Sequence, residues 1–182
     1  MSQETIDRMN SLVGEFDARV QAASPDSWNN QSPCEQWKAR DVVVHVANNL
    51  RSLTAQMTGG QASEIARDED ITAAWAQTRD DFLGELPKAD LSGTVPTPMG
   101  PMPADQFIGR IISTDVLVHT WDLSRAIGAD DTLDPKAVEG AYSGLKPMDA
   151  MIRQPGIFGP KVESEPGCST QTEFLNFLGR TV

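Results

Sequence analysis

The chain has 182 residues, with 15 lysine and arginine residues against 26 aspartate and glutamate residues, which gives a formal net charge of −11. This excess of acid argues against broad binding to nucleic acid or to an anionic membrane, since both need a basic surface. At this length we expect one domain over residues 1–182, and the two cysteines are too few for a disulfide scaffold and typical of a reducing compartment.

The N-terminal segment is predicted to form an amphipathic helix. Its first ten residues contain no apolar signal segment, and no apolar run in the chain is long enough to span a bilayer, so we expect a cytoplasmic protein. Apolar residues recur there every three or four positions, at Ile6, Met9, Leu12, Val13, Phe16 and Val20. A turn at residues 24–27 is expected to follow this helix.

Two further helices are predicted before residue 87. Ser32 to Glu35 form a capping pattern with Pro33 at the first helical position, which indicates a short turn leading into a helix over about residues 39–57. Gly59 is expected to end that helix. Its predicted buried residues are Val42, Val46, Leu50, Leu53 and Met57, and a third helix carries Ile71, Trp75, Thr78, Phe82 and Leu86.

The second half of the chain begins with a proline-rich crossover. The prolines at positions 87, 96, 98, 101 and 103 exclude a continuous helix, so we expect an ordered loop over residues 87–103, with at most a short strand at Thr94 and Val95. A fourth helix is predicted over about residues 104–127. A fifth opens at Asp134, with Pro147 as a kink.

The tail completes an all-α prediction. It carries several glycines and prolines, Gly156 among them, before a short apolar segment with Phe174, Phe177 and Leu178. Because strand signals are almost absent, we predict an all-α four-helix bundle with a long crossover loop and additional C-terminal helical segments.

Three titratable residues interrupt the apolar stripe of the fourth helix. At about 100° per residue, Asp115, His119 and Asp122 project onto the same line as Ile108, Ile112 and Ala126. Burying such groups without partners costs several kcal/mol each. A divalent metal would satisfy them together, while the alternative is a set of ordinary hydrogen bonds within the core.

The only other histidine, His45, lies at the edge of the stripe of the second helix. From there it can reach the fourth helix across the interior of a bundle, as in other helical bundles that hold metals. His45, Asp115 and His119 are therefore predicted to form a metal site with open positions, suited to zinc, with nickel or iron as alternatives.

Several nearby residues have more than one interpretation. Asp41 is either a ligand, a residue that orients one, or a first-turn acid favoured by the helix dipole. Cys34 is either a thiolate ligand, a nucleophile or a small buried residue. Trp37 and Trp75 are expected in the core. Leu117 and Trp121, which face away from the metal line, are expected to contact the tail or a second subunit in a homodimer.

Two stretches carry a family resemblance. SPCEQWKARDVVVHV (residues 32–46) and STDVLVHTWDLSRAIG (residues 113–128) resemble the DinB-like metal-binding superfamily. More narrowly, they resemble its actinobacterial branch that contains the metal-binding domain of mycothiol-dependent maleylpyruvate isomerase. The tail GIFGPKVESEPGCSTQTEFLNFLGR is similar to that of a single-domain group within this branch.

The resemblance implies a DinB-like four-helix bundle and a metal, usually zinc. The ion would be held by a histidine of the second helix and an acid-x3-histidine pair, which match His45, Asp115 and His119, and Asp122 matches a further acid. The later acid is commonly glutamate in the family, and Lys38 replaces a common threonine or serine. The isomerase also has a C-terminal domain that contributes to its active site, which we expect this chain to lack, so isomerase activity does not follow from the resemblance alone.

Three functional hypotheses result. In the first, the metal activates a small thiol, which the resemblance implies to be mycothiol, for attack on an electrophile by a transferase or isomerase. Asp122 would then be the catalytic group that orients the thiol or moves a proton, and Arg40 and Arg125 are the nearby cations for an anionic substrate. The second hypothesis is a non-catalytic metal-binding module, closed by a fourth ligand such as Asp41 or Cys34. The third is a metal-assisted hydrolase or lyase that uses no thiol.

Overall fold

The structure, a computed structural model, describes residues 3–97, 100–153 and 158–182. Pro98 and Gly156, which belong to the predicted loop and tail, lie outside the described residues. The chain divides into two compact units, one up to Asp130 and one from Asp131 to Val182, and each is described by itself. A single domain over residues 1–182 stays a prediction.

The first unit is helical, as predicted. It contains α1 (Gln3–Ala22), α2 (Ala39–Thr58), α3 (Ile71–Glu85), α4 (Ala104–Gln106) and α5 (Ser113–Ile127). A 3₁₀ turn at Pro25–Asn29 follows α1, and a second one at Leu86–Lys88 follows α3. The long helices α1 and α2 each pack against both α3 and α5, so that α2 and α5 are neighbours. The all-α class is therefore confirmed.

The apolar periodicity of α1 and α2 corresponds closely to their buried faces. Met9, Leu12, Val13, Phe16 and Val20 of α1 are buried, as are Val42, Val46, Leu50 and Leu53 of α2. Ile6 and Met57 are only half-buried, so the prediction of burial was wrong for these two. Met57 follows Val42 by 15 positions, which at 100° per residue turns its side chain about 60° away from the stripe.

The predicted fourth helix has the expected ends but contains a π-helical segment at Phe107–Ile112, between α4 and α5. The Ser113 hydroxyl donates to the carbonyl of Ile108, five residues earlier, at 3.0 Å. At Gly109 the chain passes close to α1, since a Cβ there would lie 3.2 Å from Oγ1 of Thr5. Gly128 ends α5 in the left-handed conformation, with φ 71°.

The crossover between α3 and α4 contains a minimal antiparallel pair of strands. Strand β1 (Thr94–Val95) pairs with β2 (Met102–Pro103), with Thr94 opposite Pro103 and Val95 opposite Met102. The amide of Ala104 then donates to the carbonyl of Gly93, which joins the start of α4 to this pair. The expected loop is thus partly ordered by its own backbone hydrogen bonds.

The second unit contains α6 (Pro135–Leu145), a 3₁₀ turn (Lys146–Met148), α7 (Asp149–Ile152) and α8 (Thr170–Phe177). The Asp134 side chain caps α6 by accepting the amide of Ala137 at 2.7 Å, and the break at Pro147 confirms the predicted kink. Helices α6 and α8 pack together. Within the described part of the chain, no helix is both long and apolar enough to cross a membrane.

Candidate metal centre

The structure brings His45, Asp115 and His119 together, as the sequence predicted. Nε2 of His45 lies 3.0 Å from Oδ1 of Asp115, and Nε2 of His119 lies 3.5 Å from the same oxygen. One donor atom from each of the three residues lies within 4.8 Å of the others. The site therefore joins α2, which carries His45, to α5, which carries the other two.

The local helix geometry explains this arrangement. Asp115 and His119 are four residues apart in the regular part of α5, so they lie one above the other on one face. The side chain of His119 is 7% exposed, whereas those of His45 and Asp115 are 31% and 23% exposed. The site is thus closed on the side of His119 and accessible on the side of the other two residues.

The donor atoms fit a tetrahedral ion. Zinc binds histidine nitrogen and carboxylate oxygen at about 2.0–2.2 Å, which places neighbouring donors of a tetrahedron roughly 3.3 Å apart. The separations of the two histidine nitrogens from Oδ1 of Asp115, 3.0 and 3.5 Å, bracket this value, and the two nitrogens lie within 4.8 Å of each other. Two imidazoles and one carboxylate also match the ligand types that zinc prefers. These three residues could therefore hold such an ion with little movement.

Asp122 lies behind His119 rather than among the three donors. Its carboxylate is fully buried, and Oδ2 lies 2.9 Å from Nδ1 of His119. Because a carboxylate oxygen accepts, Nδ1 of His119 carries a proton and donates a hydrogen bond to Asp122, which leaves the lone pair on Nε2 in the neutral imidazole. This is the carboxylate–histidine arrangement that orients metal-binding imidazoles in other proteins.

The charges in the site perturb two pKa values strongly. Burial alone opposes the charge on both Asp115 and His119, but the attraction and the hydrogen bond between them outweigh it. The pKa of Asp115 is held far below its usual range, with His45 also contributing, and the pKa of His119 is raised well above its usual value. Without a metal, the site is therefore an ion pair between the two residues.

Comparison with known proteins identifies the family. The sequence model of the family described as the mycothiol maleylpyruvate isomerase N-terminal domain matches residues 10–124, which include α2 and most of α5. The chain belongs to this family. The resemblance that the two sequence stretches indicated is thereby confirmed.

Relatives and a solved structure extend the comparison. Two uncharacterized proteins of Mycobacterium tuberculosis, from strains CDC 1551 / Oshkosh and ATCC 25618 / H37Rv, are each 32% identical to this chain over 174 residues. Each alignment covers 92% of this chain and 92% of the relative. The crystal structure of the mycothiol-dependent maleylpyruvate isomerase matches 84% of this chain and 69% of its own, with a TM-score of 0.56 and 17% identity. At this identity the match shows a shared fold.

The side chains of Cys34 and Asp41, both considered as further ligands, form hydrogen bonds with other residues. Sγ of Cys34 lies 3.4 Å from Oδ2 of Asp122, on the Nδ1 side of His119, and the thiol is half-buried. Donor atoms of Cys34, His119 and Asp122 also lie within 4.8 Å of one another, and both the thiol and Nδ1 of His119 are hydrogen-bonded to the carboxylate in this group. Asp41 accepts the amide of Lys38 at 2.9 Å, so it has the role of a first-turn acid.

Both arginines proposed for an anionic substrate have contacts with other parts of the chain. Arg40 donates to the carbonyls of Ala66 and Glu69, at 2.9 and 3.0 Å, in the segment before α3. The guanidinium of Arg125 lies 5.6 Å from the ring centre of Trp121. Trp121 and Leu117 are both buried within the chain, so they do not offer the exposed face on which the homodimer was predicted.

Trp37 was predicted in the core but belongs to the site. It is half-buried, and its ring centre lies 4.7 Å from that of His45 and 5.5 Å from that of His119. The turn before α2, closed by a hydrogen bond from the Trp37 amide to the Cys34 carbonyl, holds the indole there. The core prediction was wrong for Trp37 because the residue precedes the helix, whereas Trp75 is fully buried as predicted.

Asn49 is a site residue that the sequence reasoning missed. Its amide nitrogen lies 3.1 Å from Oδ2 of Asp115 and 3.1 Å from Nε2 of His45. Asn49 follows His45 by four positions in α2, so the two side chains share one face. That spacing was a signal available in the sequence.

Proposed function

We propose that His45, Asp115 and His119 bind a divalent metal ion, and that the chain is a thiol-dependent transferase or isomerase. The observation that carries the proposal is the convergence of three donor atoms from two helices, with the imidazole of His119 oriented by the hydrogen bond between its Nδ1 and Asp122. Zinc is the ion that this donor set favours, and nickel or iron are the alternatives to test.

The surroundings of the donors support an open coordination position. The two residues that might have closed the site, Asp41 and Cys34, are hydrogen-bonded to Lys38 and Asp122 instead. A zinc ion held by these three residues would leave a position for an exogenous group and would lower the pKa of a thiol bound there. The exposed sides of His45 and Asp115 supply the approach to that position.

Mycothiol is the thiol that the family favours. Both the family description and the isomerase that shares the fold carry its name. In the proposed reaction the thiol gives its proton to solvent, and its sulfur adds to one carbon of an activated carbon–carbon double bond, whose π electrons move onto the activating carbonyl oxygen. A transferase takes up a proton on the adduct and retains the new carbon–sulfur bond. An isomerase breaks that bond again after rotation about the carbon–carbon axis, which re-forms the double bond and releases the thiolate for reprotonation.

The chain's own residues have distinct parts in this proposal. Asp122 is a positioning residue, because its carboxylate contacts His119 and is buried away from the exposed side of the site. Trp37 covers the two imidazoles and limits the access of water to one side. In this proposal the protein binds two small molecules, a thiol and an electrophilic substrate.

Metal titration tests the binding part of the proposal. Purified protein is stripped with a chelator and titrated with zinc, beside His45→Ala, His119→Ala and Asp115→Asn. Because the chain has two histidines, each imidazole variant removes half of the proposed nitrogen donors. We expect one ion per chain and at least tenfold weaker binding in each variant, as is typical of losing a ligand or its orientation. Asp68→Asn, which alters an exposed acid outside the site, is the matched control.

Thiol titration tests the catalytic part. The cobalt-loaded Cys34→Ser protein, which removes the nearby protein thiol, is titrated with mycothiol while its absorption spectrum is recorded. A sulfur-to-cobalt charge-transfer band supports the thiol-dependent enzyme. Metal binding without such a band would contradict it and favour the metal-binding module or the hydrolase.

A further inference from the structure

We propose that Asn49 is a positioning residue that holds Asp115 with a single carboxylate oxygen directed at the two imidazoles. This inference rests on the metal site proposed above. Oδ1 of Asp115 is the oxygen near both histidines, at 3.0 and 3.5 Å, whereas Oδ2 lies 3.1 Å from the amide nitrogen of Asn49. The two oxygens of one carboxylate therefore have different tasks.

The orientation of the Asn49 amide follows from its neighbours. Its nitrogen must face Asp115, because an amide oxygen in that place would meet a carboxylate oxygen with no proton between them. One N–H is thus donated to Oδ2 of Asp115. The same nitrogen lies 3.1 Å from Nε2 of His45, so Asn49 contacts two of the three proposed ligands.

This hydrogen bond crosses between two helices. Asn49 belongs to α2 and Asp115 to α5, and these helices also supply the two histidines. The bond therefore fixes the carboxylate relative to His45, on the same helix face one turn earlier. An aspartate at this position has a short side chain, so a small rotation would bring both oxygens to the ion unless something holds one of them.

The chemical character of asparagine suits this task better than a charged residue. A lysine or arginine at position 49 would bring a positive charge that repels the cation. A carboxylate would repel Asp115 in the empty site and compete with it for the ion. The neutral amide donates a hydrogen bond to one oxygen without either effect, which keeps Asp115 monodentate and a coordination position open.

The test compares Asn49→Leu, which keeps approximate size but has no donor, and Asn49→Asp, which replaces the donor with a second carboxylate. Ser52→Ala, at an exposed position of α2, and Asn10→Asp, at an exposed position of α1, are the matched controls. Each protein is titrated with zinc, and the visible spectrum of its cobalt form reports the coordination number. Thermal unfolding of the chelator-treated proteins reports any general structural damage.

We expect Asn49→Leu to weaken zinc binding by about 10-fold to 100-fold, the range for lost outer hydrogen bonds of metal ligands. We also expect weaker visible bands in both cobalt-loaded variants, as a second carboxylate oxygen raises the coordination number. The controls should match the unsubstituted protein.

Equal zinc affinity and unchanged cobalt spectra in both Asn49 variants would overturn the inference while leaving the proposed function intact. A lower melting temperature without a spectral change would overturn it too, since that result indicates a structural role. If the unsubstituted protein binds neither ion, the proposed function fails and this inference fails with it.

Discussion

At the scale of single residues, His119 is the centre of the site because both of its ring nitrogens have assigned partners. Nδ1 donates to Asp122, and Nε2 faces Asp115. A histidine with only one of these contacts could rotate or exchange its proton between nitrogens. The pair of contacts fixes both the ring orientation and the nitrogen that is available to a cation.

Replacing the buried carboxylate should weaken the site without removing a ligand. For Asp122→Asn we expect zinc affinity to fall about tenfold, since a neutral amide orients the imidazole less strongly and supports its basicity less. Isothermal titration calorimetry measures the change. Asp68→Asn, at an exposed position, makes the same substitution away from the site and should bind zinc normally. Undiminished affinity in Asp122→Asn would contradict the orienting role.

Zinc affinity should rise with pH. The pKa of His119 is raised well above its usual value by Asp115, so in the metal-free protein this imidazole is protonated at neutral pH and must lose its proton to bind an ion. Asp115, whose pKa is lowered, is ionised throughout and adds no slope. Competition titrations with a chromogenic chelator between about pH 5 and about pH 9 should show affinity rising until His119 is neutral. A flat profile would argue against imidazole ligands.

The sequence predicted the three proposed ligands and indicated Asp122 beside them, but it did not predict the places of Trp37 and Asn49 in the site. The sequence indicated His45, Asp115 and His119 because polar groups on or beside an apolar helical face must find partners to offset the free-energy cost of burial. Trp37 was not indicated, because its position depends on how the turn before α2 folds back. Asn49 was missed although its spacing of four from His45 was visible in the sequence, since its contact with Asp115 depends on the packing of α2 on α5.

At the scale of secondary structure elements, a polar contact joins α1 to α3. Oδ1 of Asp17 accepts from the indole nitrogen of Trp75 at 2.9 Å and from Nη1 of Arg79 at 2.8 Å. The same helices meet through Phe16 and Trp75, whose ring centres are 4.7 Å apart. The carboxylate therefore satisfies the buried indole at the edge of the apolar contact.

Removing this carboxylate should destabilise the first unit. We expect Asp17→Ala to lower the free energy of unfolding by about 1–3 kcal/mol, because the buried indole N–H would lose its acceptor. Urea denaturation monitored by circular dichroism measures the difference. Asp7→Ala, at an exposed position of the same helix, should change stability far less. A loss no greater than that of this control would show that the indole finds another acceptor.

Helix existence was predictable from periodicity, whereas two details were not. The stripe of Ile108 and Ile112 fits a regular helix, so nothing in the apolar pattern indicated the π-helical segment. That segment accompanies the carbonyl of Ile108 accepting from Ser113, and the carbonyl of Gly109 accepting from Arg8 of α1. In the crossover, a short strand at Thr94 and Val95 was considered from the sequence, but its partner at Met102–Pro103 was not, since a two-residue strand carries too little pattern to distinguish it from a loop.

At the scale of the whole molecule, the proposed ion would fasten two helices that are separated by about 70 positions in the sequence, since His45 and Asp115 are 70 residues apart. An ion that binds the folded chain and not the unfolded chain stabilises it by mass action. With free zinc at about 100 times its dissociation constant, the gain is about 2.7 kcal/mol.

Metal removal should therefore lower the melting temperature. Differential scanning calorimetry of zinc-loaded protein should show a higher transition than the same protein in excess chelator. His119→Ala should show a smaller difference in melting temperature between the two conditions, since it lacks a ligand. An equal response of the variant and the unsubstituted protein would place the stabilising ion elsewhere in the chain.

The close pairing of the two imidazoles, with ring centres 4.8 Å apart, has a practical consequence. Since the chain contains no other histidine, every imidazole resonance in a nuclear magnetic resonance spectrum comes from this one location. A pair of signals, without any need for isotope-edited assignment of the remaining protein, is enough to follow occupancy, protonation and the arrival of a small molecule in the same tube.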